Sequence, residues 1–133
     1  MSKQDAVSER ELSAIRQIVE HDSTYPVQAY RFVIEGVAYT VEKIKKQNVG
    51  PRHITGGELT AGMLEFAVER FAFLAPDVFR YWHFLNGRDI GNTVFSLIGA
   101  QLLAASPSDR IEDFDACENL PETLQAMLVA KRK

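Results

Sequence analysis

A single cysteine, Cys117, excludes any intrachain disulfide. Stability must then come from packing, and 133 residues are enough to bury a core without staples. Cys117 itself reads as a small, half-buried side chain. Long apolar runs are also missing. The longest candidate, 93–105, contains Gln101 and falls short of the ~18 residues that span a bilayer. Residues 1–10 are polar with no apolar centre, so no secretory leader is expected and the expected location is cytoplasmic. Basic residues are outnumbered, 15 Lys and Arg against 18 Asp and Glu, for a net charge of -3. That excludes binding of nucleic acid by global charge and leaves only a local patch.

Chemistry-bearing motifs are scarce. His21, His53 and His83 have no metal-ligand spacing with one another or with Cys117. Glu65 and Glu69 share a helix face, but a carboxylate metal site would need a partner Glu-x-x-His helix, which the chain lacks. They read as a solvated face. Walker loop, dinucleotide fingerprint and nucleophile elbow are all absent. The sequence points to no catalytic residue, metal ligand or cofactor, and the reading leans away from an enzyme.

What the chain does have is helical punctuation. Ser8 and Glu11 have capping-box spacing ahead of Leu12, Ile15 and Val19. Pro26 suits the start of a second helix, whose stripe Tyr30, Ile34, Val37, Val41 and Ile44 runs to about Lys46. Gly36 interrupts it at a cost of ~1 kcal/mol relative to Ala, which close packing by another element would explain. Thr55 and Glu58 repeat the capping-box spacing. The helix they open has two stripes, Leu59, Met63 and Phe66 beside Leu64, Val68 and Phe71, which predicts a central position. Pro76 opens a fourth helix with Phe79, Trp82 and Leu85, and Gly87 is placed to stop it in the left-handed conformation. Asp89 is read as the cap of a fifth, carrying Ile90, Val94, Leu97, Ile98 and Leu102. Residues 108–119 are acidic and read as a loop or short irregular strand anchored by Ile111 and Phe114. Pro121 opens a last helix with Leu124, Met127 and Leu128. The expectation is a mainly α, compact single-domain bundle of five to six helices over 1–133, frayed at 1–7 and 130–133.

Two places could carry a function. Phe71, Phe73, Phe79, Tyr81, Trp82 and Phe84 make an aromatic-dense zone, with Phe79, Tyr81, Trp82 and Phe84 as the candidate interaction residues. Any ring left exposed there would form an apolar patch of the kind that marks a partner site or oligomer interface. The second is an anion site, Lys45, Lys46, Arg52, His53, Thr55, Gly56 and Gly57, where cations precede a helix start. Thr55 and Glu58 compete for it by capping those same amides. Segments 76–85 and 90–104 have helix–turn–helix spacing, yet 90–105 has no Lys or Arg. Its candidate groove-facing groups are Asn92, Thr93, Ser96 and Gln101, a poor set for reading DNA, so a core hairpin is the better reading.

Together, Ala29-Tyr30-Arg31-Phe32-Val33, Tyr39-Thr40-Val41, 52–59, Trp82, Asp89-Ile90-Gly91, Val94-Phe95, Ser108-Asp109 and Glu112-Asp113-Phe114 form a recognisable set. On these the chain resembles a family of conserved hypothetical proteins of planctomycetes and verrucomicrobia, over about 25–114. It departs from that pattern at Gly57, where glutamine is expected, and at His83, where glycine is expected. The resemblance implies no activity. The expected function is a small non-enzymatic module for protein–protein interaction or self-association, with no membrane partner. The alternative is nucleic-acid or phosphate binding through 43–53 and the helix start at Thr55.

Overall fold

The computed structural model describes residues 3–47, 54–104 and 110–131. Among them are six α-helices, two short 3-10 turns and no strand. The order is α1 (Lys3–His21), α2 (Val27–Lys45), α3 (Gly56–Phe71), a 3-10 turn (Ala72–Leu74), α4 (Ala75–Tyr81), α5 (Gly87–Gly99), a second 3-10 turn (Ile111–Phe114) and α6 (Leu120–Lys131). This is the mainly α bundle that the spacing predicts.

The central element is α3, which touches α2, α4, α5, α6 and both 3-10 turns. Met63, Leu64, Ala67 and Val68 are buried on it, as its double stripe requires. On α2 the deep face is made of Ala29, Val33, Gly36 and Thr40. The larger Ile34, Val37, Val41 and Ile44 are only half-buried. Where α2 crosses α3, Gly36 and Thr40 let the two helices come close, while Tyr30 and Phe32 are buried beside them. A Cβ on Gly36 would lie 2.2 Å from Met63 Sδ, and one on Gly62 would lie 1.9 Å from Thr40 Oγ1. The Thr40 hydroxyl donates to the Gly36 carbonyl at 2.8 Å, so its burial leaves no orphan polar group. Three polar links fix the antiparallel register along one edge of this pair: Glu35 to Arg70, Tyr39 to Glu69 and Lys43 to Glu65.

Phe32 of α2 is the hub of the aromatic core. Its ring meets those of Phe66, Phe71, Phe79 and Trp82 at centroid distances of 5.1, 5.8, 5.7 and 5.3 Å.

Several boundaries differ from the sequence reading, each for a local reason. α1 begins upstream of Ser8, which lies inside the helix and not at its cap. Residues 3–7 and 130–131 are helical. Pro26 is the N-cap of α2, with extended φ -77 and ψ 166. α4 ends at Tyr81, and the residue that stops it is His83 at φ 62, not Gly87. The His83 amide donates to the Arg80 carbonyl at 3.1 Å and the Phe84 amide to the Phe79 carbonyl at 2.8 Å. The Phe79 and Phe84 rings pack at 5.4 Å, completing a Schellman stop. Gly87 instead opens α5. Asn86 is that helix's N-cap, and Asp89 is its reciprocal partner in a capping box. Gln101 at φ 63 repeats the left-handed stop after α5.

Of the acidic stretch, 110–119 is described, and it forms a 3-10 turn rather than a strand. The turn sits on three glycines. A Cβ at Gly56 would meet the Asp113 carbonyl at 2.8 Å, one at Gly87 the Phe114 carbonyl at 2.0 Å, and one at Gly91 the Phe114 ring at 2.8 Å. Arg88 grips Asp115 through two hydrogen bonds of 2.8 and 2.7 Å.

Candidate functional site

The aromatic zone divides between interior and surface. Phe79, Trp82 and Phe84 are buried in the core, whereas Tyr81 is 80% exposed. Two further large apolar side chains join Tyr81 at the surface: Phe73 at 74% and Leu74 at 52% exposure. At ~100° per residue, Asp77, Arg80 and Tyr81 of α4 fall within an arc of roughly 100°, and Phe73 and Leu74 lie in the 3-10 turn that leads into it. Ala75, Pro76, Phe79 and Trp82, all buried, occupy the opposite side. Sequence reasoning includes Phe73 in the aromatic zone and singles out Tyr81, and it misses Leu74.

The corner has a backbone peculiarity. Ala72 closes α3 at φ 50 and ψ -133, a region that residues with a Cβ rarely enter. This kink ends the continuous helix and starts the short run that displays Phe73 and Leu74. Asp77 and Arg80, on the same face, pair at 3.1 Å.

The candidate anion site is arranged differently. Arg52 and His53 lie outside the described residues. Lys45 and Lys46 are exposed at the end of α2, with Lys45 3.7 Å from Glu42. Thr55 Oγ1 accepts the Glu58 amide at 3.1 Å, and Glu58 Oε1 accepts the Thr55 amide at 3.0 Å. The Asp113 backbone covers Gly56. The cap supplies its own carboxylate, so an incoming anion meets negative charge and a taken amide. Gly57 lines an open groove of about 660 Å³ between α3 and α6, with Ala61, Leu64, Cys117 and Ala126. Cys117 is half-buried there, its Sγ 3.5 Å from Thr123 Oγ1.

The core hairpin read from 76–85 and 90–104 does not form: α4 lies mainly against α6, and α5 against α2, α3 and the second 3-10 turn. Little of α5 is left for a groove. Thr93 is fully buried, Asn92 donates to the Tyr25 hydroxyl at 3.1 Å, and Ser96 hydrogen-bonds Tyr30. The Tyr25 hydroxyl donates to Asp89 at 2.6 Å, and Asp89 also accepts the Leu85 and Asn86 amides at 2.9 and 3.1 Å. Burial and that carboxylate raise the Tyr25 pKa well above the ordinary phenol value. Glu65 and Glu69 are engaged by Lys43 and Tyr39, and the Glu69 hydrogen bond pushes the Tyr39 pKa up to about 12. Among the described residues, no three His, Cys, Asp or Glu side chains come together as a metal site. No helix among them is long and apolar enough to cross a membrane.

Compared with known proteins, the chain matches no family model, no curated protein and no solved structure.

Proposed function

We propose that the chain is a small protein-interaction module of the cytoplasm that docks a partner on the corner formed by Phe73, Leu74 and Tyr81. The observation that carries this reading is the exposure of three large apolar side chains within nine residues, beside the strained Ala72. Exposed aromatic rings grouped with an arginine have the composition of interface anchors. Strained backbone concentrates where a structure has a task beyond folding. Membership of the planctomycete and verrucomicrobial family is proposed with it. The glycine expected there after the tryptophan would fall where the backbone has φ 62.

The test begins with affinity purification from the native cell, with partner identification and reconstitution from pure components. Tyr81→Asp and Phe73→Asp should each weaken binding of the reconstituted partner about 30-fold or more, the scale of a hot-spot residue. The helical circular-dichroism spectrum should be unchanged, because both side chains are exposed. A partner whose affinity ignores both substitutions overturns the reading.

A further inference from the structure

We infer that the groove between α3 and α6 is a second docking surface, and that its occupant is a basic amphipathic helix of a partner protein. The inference goes beyond the aromatic corner, which lies on the first 3-10 turn and α4.

Two helices supply the groove in matching stripes. Gly57, Thr60, Ala61 and Leu64 line it from α3. Asn119, Glu122, Thr123 and Ala126 line it from α6 and the residue before that helix. Each set has the spacing i, i+3, i+4, i+7, which is one helical face about 10 Å long. A second hollow shares Glu122 and Ala126 and continues over Gln125, Val129 and Ala130. The two hollows together follow α6 for about three turns. Val129 stands 58% exposed at the far end, a large apolar side chain that the core does not use.

The shape selects the kind of occupant. Small-molecule sites enclose most of their ligand, whereas this groove is open. An extended peptide would lay unpaired amides and carbonyls on an apolar floor. Among the described residues there is no strand whose edge could take them. A helix satisfies its own backbone and offers a stripe of side chains to a groove. Gly57, Ala61 and Ala126 are small enough to let its axis come close.

The charge selects its composition. The Thr60 hydroxyl donates to the Gly56 carbonyl at 2.9 Å and the Thr123 hydroxyl to the Asn119 carbonyl at 2.8 Å, so both are spent within their own helices. The Asn119 side-chain oxygen accepts the Glu122 amide at 3.0 Å. The charged groups lining the two hollows are Glu118 and Glu122, with no Lys, Arg or His beside them. Both carboxylates are exposed, and among the described residues neither is in an ion pair. Asp115, close by in the chain, is already held by Arg88. A helix with an acidic flank is repelled here. One with Lys or Arg on that flank is steered in and held in register over Glu118 and Glu122.

Fluorescence anisotropy on the full chain tests this with labelled peptides of about 18 residues, long enough to cover the groove as a helix. One set carries alanine and leucine on one face and lysine on the other, and a matched set carries glutamate for lysine. The lysine peptides should bind at least about tenfold more tightly than the glutamate peptides. Glu118→Lys combined with Glu122→Lys should weaken the lysine peptides about tenfold or more. Ala61→Tyr fills the groove without changing charge and should weaken them to a similar degree. Glu20→Lys combined with Asp77→Lys makes the same change of net charge elsewhere and should leave the affinity within about twofold. All five positions are exposed, so the helical circular-dichroism spectrum should not change. Lysine peptides that all fail to bind overturn the inference, as do glutamate peptides that bind equally well. Equal losses in the two double variants also overturn it, by assigning the binding to net charge, and so does indifference to Ala61→Tyr. Tyr81→Asp should leave the peptides bound. A loss there moves them to the corner and overturns the groove alone, while the corner stands or falls with its own partner.

Discussion

Replacing Gly87 by alanine adds one methyl group where a Cβ would lie 2.0 Å from the Phe114 carbonyl oxygen and 3.4 Å from that of Cys117. Both neighbours are backbone and neither can swing aside. The Gly87 amide donates to the Cys117 carbonyl at 2.8 Å, and the Leu120 amide to the Leu85 carbonyl at 2.8 Å, so the segment is tied down on both sides. Helix propensity alone favours alanine by ~1 kcal/mol. Overpacking opposes it by ~1–3 kcal/mol, and a stretched or lost hydrogen bond adds ~1 kcal/mol. The net expectation is destabilisation of ~1–3 kcal/mol, or a fall in Tm of roughly 3–15 °C for a domain of this size. Thermal and urea denaturation followed by circular dichroism measure it, with an unchanged m-value showing that the change is one of stability. Gly57→Ala and Gly99→Ala are the controls. A Cβ at Gly57 meets only Thr55 Oγ1 at 3.9 Å, and one at Gly99 meets nothing within 4 Å. Both should be neutral or stabilised by up to ~1 kcal/mol. A Gly87→Ala protein as stable as these two would refute the seating of the second 3-10 turn on α5.

Three further outcomes follow from geometry already given. His83→Gly should raise stability by about 0.5–1 kcal/mol, since relief of a left-handed residue exceeds the added freedom of the unfolded chain. An unchanged or lower urea midpoint would count against the Schellman stop. Tyr25→Phe removes the donor to Asp89 and the acceptor of Asn92, for a loss of ~1.5–3 kcal/mol in the same assay. A midpoint equal to wild type would show that the Tyr25 hydroxyl holds nothing. Tyr25, Tyr30 and Tyr39 all keep their protons more tightly when folded, Tyr39 up to about 12 against an unfolded value of 10.0. Their contribution is therefore intact below pH 10 and is lost as pH rises from there through the folded values. Urea midpoints taken on either side of pH 10 should fall on the alkaline side, and a flat profile would contradict the tyrosine contacts.

Local signals in the sequence carry much of this fold. Thr55 and Glu58 are read as a capping box and form one, because both partners lie within a single turn. Pro26, Pro76 and Pro121 mark helix starts to within a residue, because a missing amide is tolerated there. Gly36 is read as a site of close packing, and Met63 supplies the neighbour. Signals that depend on the rest of the molecule are not legible. Asp89 is read as the cap, and only the hydrogen bonds give Asn86 the cap and Asp89 the place of its partner. Gly87 has the residue type of a helix stop, but the space beside Phe114 is what requires it. At the candidate site, Tyr81 is legible as an aromatic off the buried phase. The exposure of Phe73 and Leu74 is not, because the chain bends at Ala72, and alanine is the residue least suggestive of a kink.

The second 3-10 turn has a consequence for the order in which the chain is made. Its seats, Gly56, Gly87 and Gly91, and its anchor Arg88 all precede 111–115 in the sequence. During synthesis α3 and α5 leave the ribosome with those seats empty and with the Phe114 site uncovered. Gly56 and Gly87 are seats for the backbone of 113–114, and Gly91 for the Ile111 and Phe114 side chains, all in a segment not yet translated. The bundle therefore closes like a box whose lid is manufactured after its walls, and a nascent chain halted before residue 111 displays an apolar furrow that the finished protein hides.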